Sequence, residues 1–195
     1  MNDSDITKLK EHLSILKINH EEQILTCSSL KDAHIYCILY KVSAQQYGPL
    51  LEKFIISKFN YTKNKSSSST GDFSKNSQNI ELKASLGGST HKKFNFVQIR
   101  PSHSIDFYIL TAYYLTLQNV DNKGELYIFH IPKESIKNII ISHGKYAHGT
   151  KKRHGPITID SIHDETNEKE YALRPSFNDK CWKDLLPFRI SESDL

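Results

Sequence analysis

Apolar residues in the first sixty positions recur three and four apart, the period of a helix with one buried face. Ile6, Leu9, Leu13 and Leu16 form one such series. Ile35, Ile38, Leu39 and Val42 form a second, preceded by Ser28-Ser29, residues suited to cap a helix start. Gly48-Pro49 interrupts this pattern and predicts a third helix from Pro49 to Phe59, with proline in its first turn.

The pattern changes after Asn60. Residues 60–79 are polar, with Lys63-Asn64-Lys65 followed by a serine run and Thr70-Gly71, and they read as a loop leading to Asp72. Beyond it, 80–85, 94–100, 107–117 and 125–131 read as strands. The last two are rich in Tyr, Ile, Leu and Phe, as strands buried on both faces are. Asp121-Asn122-Lys123-Gly124 between them is a turn signal. Pro132-Lys133-Glu134-Ser135-Ile136 reads as a helix start, and two short strands are expected at 157–162 and 170–173. The order predicts one α/β domain over 1–195, a central mixed, largely antiparallel sheet flanked by helices. Its parts are a helical segment 1–60, a sheet core 70–135 and a basic segment 143–155.

Composition narrows the function classes only a little. A chain of 195 residues can bury a sizeable core. The net charge of +4 leans weakly towards a polyanionic partner. No apolar run approaches the ~20 residues of a membrane span, and no secretion signal is expected at Met1-Asn2-Asp3-Ser4. Cys27, Cys37 and Cys181 are scattered and odd in number, which fits reduced thiols in a cytosolic protein. Without a CxxC pair, the common structural zinc site is not expected.

The candidate chemistry lies in Ile80-Glu81-Leu82-Lys83-Ala84. On a strand, Glu81 and Lys83 point to one side while Ile80, Leu82 and Ala84 point to the other. An acid and a lysine two apart are usually a solvated strand face. Here the pair is the only Glu-x-Lys in the chain, and Gly71-Asp72 precedes it at a distance that one hairpin can close. Two carboxylates can hold a Mg²⁺ ion that keeps several waters. Such an ion acidifies a water and stabilises charge on phosphoryl oxygens, and a lysine can orient that water.

Asp72 followed by Glu81-Leu82-Lys83 resembles the catalytic motif of the PD-(D/E)xK nuclease superfamily, as found in type II restriction endonucleases. The stretches Asn95 to Pro101, Asp106-Phe107-Tyr108, Ala112-Tyr113-Tyr114 and Tyr127 to Pro132 are similar to restriction enzymes with that core. The likeness covers about residues 47 to 155. Gly71 stands where that family often has a proline. The resemblance implies a restriction-endonuclease-like fold, Mg²⁺ (with Mn²⁺ as substitute) bound by Asp72 and Glu81, and Lys83 serving the attacking water. It implies a homodimer cutting double-stranded DNA in a prokaryotic cytoplasm, because a two-fold dimer matches a symmetric site. A helical acid ahead of the core sometimes reaches the metal or its water in that family. Glu52, bordering the stripe of Ile56 and Phe59, is the candidate, the plainer alternative being a salt bridge or a solvated rim position. Gln98 is a candidate for positioning water or phosphate, although strand polar residues mostly just face solvent.

The segment from His143 to Gly155 concentrates Lys145, His148, Thr150, Lys151, Lys152, Arg153 and His154, and no acid occurs between Ser135 and Ile159. Standing alone it reads as a solvated charged loop, and beside a nuclease core as a DNA contact. Lys92, Lys93 and Arg100 are the next cations in line. His143, His148 and His154 match no compact metal-binding spacing. Two rivals share the data: a mismatch- or structure-specific repair nuclease on the same fold, and a non-catalytic DNA-binding module in which Glu81 and Lys83 are merely structural.

Overall fold

A computed structural model of the chain describes residues 4–8, 19–65, 69–88 and 93–195. Residues 4–8 are helical, whereas Leu9, Leu13 and Leu16 of the first expected helix lie outside the described residues. A short helix, α1 (His20–Leu25), is capped by the Asn19 side chain. Helix α2 (Leu30–Leu39) starts where the serines predict it, with the Ser29 hydroxyl accepting from the Asp32 amide at 3.0 Å. Its buried face is not the expected one. Leu30, Ala33, His34 and Cys37 point inward, while Leu39 is 72% exposed. Apolar residues occur all round this helix, so their spacing does not select a side.

Helix α3 (Ala44–Phe59) runs through Gly48-Pro49 and begins five residues before the proline, which corrects the expected break. Pro49 gives up one helical hydrogen bond at a cost of about 3 kcal/mol. Burial of Leu50, Leu51, Phe54 and Ile55 from the next two turns offsets that cost. Asn60 ends the helix in the left-handed conformation.

The strands are β1 (Thr62–Lys63), β2 (Phe73–Lys75), β3 (Gln78–Gly88), β4 (Phe96–Ile99), β5 (Phe107–Leu115), β6 (Glu125–Pro132), β7 (Lys145–Tyr146), β8 (Tyr171–Leu173) and β9 (Arg189–Ile190). Six form the main sheet, in the order β1-β2-β3-β5-β6-β9, and β4-β8-β7 form a second. Every pair in the main sheet is antiparallel except β3 and β5, which run parallel from Ile80↔Phe107 to Gly88↔Leu115. The chain is thus a single α/β domain with a mixed, mainly antiparallel sheet, as expected, and with a smaller sheet that was not expected as a separate layer. The turn before β6 follows the sequence signal, with Lys123 and Gly124 both at positive φ.

Helices α4 (Lys133–His143), α5 (Lys151–His154), α6 (Ile159–His163) and α7 (Lys180–Leu185) complete the chain. Helix α4 begins directly after Pro132. Helix α6 replaces the strand expected at 157–162. The Thr158 and Ser161 side chains cap each other's backbone amides there, a reciprocal box that starts a helix.

Alternation along β5 divides the core. Tyr108, Leu110 and Ala112 pack with β6, α4 and α7, while Ile109 packs with Ile80, Leu82, Leu51 and Phe54 on the α3 side. Both faces are therefore dry, and the side chains of 81 and 83 leave β3 opposite to Leu82. Trp182 is the keystone of the first cluster. It stacks on Phe94 at 4.9 Å and meets Tyr127 and Phe129 edge-on. Trp182→Ala is expected to cost about 3–5 kcal/mol of folding stability, read as a lower urea midpoint. A loss below 1 kcal/mol would contradict the keystone role.

Candidate active site

Strand β2 pairs with only the first three residues of β3, from Lys75↔Gln78 to Phe73↔Ile80. A two-residue turn joins them, with Asn76 and Ser77 both at positive φ, which sets the register. Past Ile80 the outer edge of β3 has no partner strand in the main sheet among the described residues, and the Asp72 side chain takes up its next outward amide. The Asp72 carboxylate accepts from the Leu82 amide at 2.8 Å, and its own amide donates to the Ile80 carbonyl at 2.9 Å. The hairpin expected to bring Asp72 beside Glu81 and Lys83 is therefore present.

Gly71 makes this turn possible. Its φ is +75°, and a Cβ there would lie 2.6 Å from the Ile80 carbonyl oxygen. A proline, fixed near −65°, cannot occupy that conformation, so the missing proline follows from the local backbone.

Glu81 is buried, and Lys83 Nζ donates to its Oε1 at 2.5 Å. Burial first, and then the Glu81 carboxylate, push the Asp72 carboxyl up to about 6, against the opposing pull of the Leu82 amide and Lys83. Glu52 on α3 adds to the rise, so three carboxylates share one electrostatic environment. Glu52 also pairs with Lys63 at 3.3 Å. It is thus both a salt-bridged residue and part of the site.

Glu52, Asp72, Lys83 and Gln98 line one cleft of about 390 Å³ between α3 and strand β4. Gln98 has a φ of +57° at a bulge in β4, where the pairing with β8 shifts between Phe96 and Ile99. A left-handed glutamine is strained, and bulges re-aim side chains. Here the bulge places an exposed amide at the cleft.

Other members carried no signal in the sequence. Tyr47 forms part of the wall, and its hydroxyl bonds to Nδ1 of the fully buried His34. That imidazole stacks on Tyr113 and is pushed down to about 3 by burial, so it is neutral. Asn95 lines the cleft, and its amide donates to the Ser85 hydroxyl at 2.7 Å. His103 is held below its usual value by burial and then by Arg100, with Glu81 acting in the opposite direction.

The basic segment lies elsewhere, and its setting corrects the expectation of an acid-free surface. His148, Arg153 and His154 line a cavity of about 700 Å³ together with Asp164, Glu168 and Glu170. Acids remote in sequence fold onto the basic run. Arg100 is bound through Nε and a terminal nitrogen to Glu170 and is not a free cation. His148 stands 3.3 Å from the same carboxylate, and His154 packs against Tyr146. Lys145, Thr150, Lys152 and Arg153 are exposed, as is Lys93. Lys92 and the side chain of Lys151 lie outside the described residues.

Among the described residues no group of three or more His, Cys, Asp or Glu is arranged to hold a metal ion. The two carboxylates expected to hold Mg²⁺, Asp72 and Glu81, each have one oxygen engaged, by the Leu82 amide and by Lys83, which leaves one oxygen apiece of the type a hard cation takes. The three cysteines are free. Among the described residues no helix is long and apolar enough to cross a membrane. The sequence matches no protein-family model and no curated protein.

The raised carboxyl of Asp72 has a measurable consequence. A group whose folded value lies above its unfolded one, near 3.9, stabilises fully below the unfolded value and loses that contribution as pH rises through about 6. Asp72→Asn keeps an acceptor for Leu82 but does not titrate. In EDTA, its stability relative to the parent should therefore rise by about 2–3 kcal/mol between pH 4 and pH 7. A difference that stays flat across that range, read from urea unfolding, contradicts the buried-acid account.

Proposed function

We propose that the protein is a Mg²⁺-dependent endonuclease with a restriction-endonuclease-like core, hydrolysing phosphodiester bonds of double-stranded DNA at a short sequence as a homodimer. One observation carries this reading. A hairpin folds Asp72 onto the strand that bears Glu81 and Lys83, so Asp72 and Lys83 line one cleft at the sheet edge with Glu81 buried behind them on the Lys83 ammonium. Asp72 satisfies the Leu82 amide, and in doing so it sets a second, half-buried acid with a raised carboxyl value beside Glu81.

Asp72 and Glu81 would hold the ion, which supplies a more acidic water and charge stabilisation at the phosphoryl oxygens. Lys83 orients the attacking water or offsets charge developing on the phosphate. Gln98 offers an amide to the same water or to a phosphate oxygen. Glu52 stays near Asp72 through its pairing with Lys63. Exposed Lys145, Thr150, Lys152 and Arg153 would supply phosphate and base contacts away from the cleft in this reading, whereas Arg100 first has to leave Glu170.

A second reading has one observation in its favour. Lys83 lies directly on Glu81, so the pair closes on itself as a structural ion pair does. The protein is then a DNA-binding module without chemistry.

Cleavage separates the two. Plasmid should be cut in Mg²⁺ or Mn²⁺ and left intact in EDTA, and Ca²⁺ should support binding with little cutting. Lys83→Ala should lose about 10²–10³-fold or more in rate while keeping its DNA affinity. Robust cutting in EDTA, or wild-type cutting by Lys83→Ala, removes the proposal.

A further inference from the structure

The strip of chain that closes the cleft opposite α3 and the segment paired with it carry one cation each, Lys93 and Arg174, that no acid neutralises among the described residues. Residues 93–97 alternate in burial, with Phe94 and Phe96 inside and Lys93, Asn95 and Val97 turned outward. Asn95 and Val97 line the cleft, so Lys93 projects from the same side of the strip. The antiparallel pairing of Phe96 with Leu173 and of Lys93 with Ser176 sets Asn95 opposite Arg174. Opposed residues share one side of a ladder. The contact is direct, because Arg174 Nε donates to the Asn95 side-chain oxygen at 3.0 Å.

This bond uses one of five guanidinium donors, and the terminal nitrogens have no partner among the described residues. Among the described residues, neither Arg174 nor Lys93 forms an ion pair. Other cations near the site are committed: Lys83 to Glu81, Lys63 to Glu52 and Arg100 to Glu170. Arg174 is exposed, yet its Nε is anchored, so less freedom is lost when it takes a bidentate anion. A planar fork with free terminal nitrogens fits the paired oxygens of a phosphodiester.

We propose that Arg174, anchored by Asn95 and flanked by Lys93, grips a backbone phosphate of the DNA strand bound in the cleft. This assignment rests on the nuclease reading above. It places part of the DNA grip on the β4–β8 ladder beside the reacting groups, apart from the basic segment 143–155.

The test is binding of a fluorescent mixed-sequence duplex in Ca²⁺ across about 50–200 mM salt, with plasmid cleavage in Mg²⁺ run in parallel. Each phosphate contact contributes close to one unit to the slope of log affinity against log salt. Arg174→Gln should bind about 5–10-fold more weakly at the low-salt end and lower that slope by about one. Arg174→Lys should keep the parental slope and recover only part of the affinity, since lysine has no Nε to bind Asn95. Lys93→Gln should also lower the slope by about one. Wild-type affinity and slope for both glutamine variants, in a protein that binds and cuts DNA, overturns the phosphate grip and leaves the nuclease reading intact. A wild-type protein that neither binds the duplex nor cuts plasmid overturns both. If Arg174→Gln does not fold, shown by loss of its thermal transition, the slopes of Arg174→Lys and Lys93→Gln decide.

Discussion

At Leu82 a side chain does the work of a strand. The main sheet ends its outer pairing at Ile80, and the next outward-facing amide of β3 is satisfied by the Asp72 carboxylate. A buried amide left without a partner costs about 1–3 kcal/mol, so this bond fixes where the chain before β2 must lie. Gly71 has to reverse there, since its left-handed φ brings it within contact of the Ile80 carbonyl. The same geometry leaves the sheet edge open for a cleft and draws an acid into a half-buried place beside Glu81.

The charges around that edge are arranged against one another. Burial first, and then repulsion from Glu81 and Glu52, raise the Asp72 carboxyl. Lys83 and Lys63 each neutralise one acid. Behind the cleft, a neutral histidine holds Tyr47 by its hydroxyl without adding charge to the site. The strained Gln98 and the β4–β8 ladder supply polar groups from the far wall. Under the nuclease proposal, acids outnumber cations here, so a bound metal ion would be needed before an anionic phosphodiester could approach.

Much of this was legible in the chain because it depends on local rules. The period-two run at 80–84 follows from side-chain alternation, and the strands read at 107–117 and 125–131 follow from the aromatic and aliphatic composition of strands buried on both faces. Asp72, Glu81 and Lys83 could be grouped because a single hairpin joins them. What the sequence hid was set by tertiary packing. Pro49 reads as a helix boundary until the burial of the following turns is weighed. Leu39 reads as core on a helix whose apolar residues point every way. The acid-free run at 135–159 looks like an open cationic surface, but Asp164, Glu168 and Glu170 meet it in space. Asn95 and Arg174 are 79 positions apart, and only the pairing of β4 with β8 makes them neighbours.

The central claim is that this sheet edge hydrolyses DNA at a defined sequence. Digestion of a supercoiled plasmid of known sequence, with the ends of the products mapped, measures this most directly. The account predicts discrete linear fragments in Mg²⁺ whose ends share one short sequence. Nicked circles alone, ends scattered over unrelated sequences, or intact plasmid would contradict it.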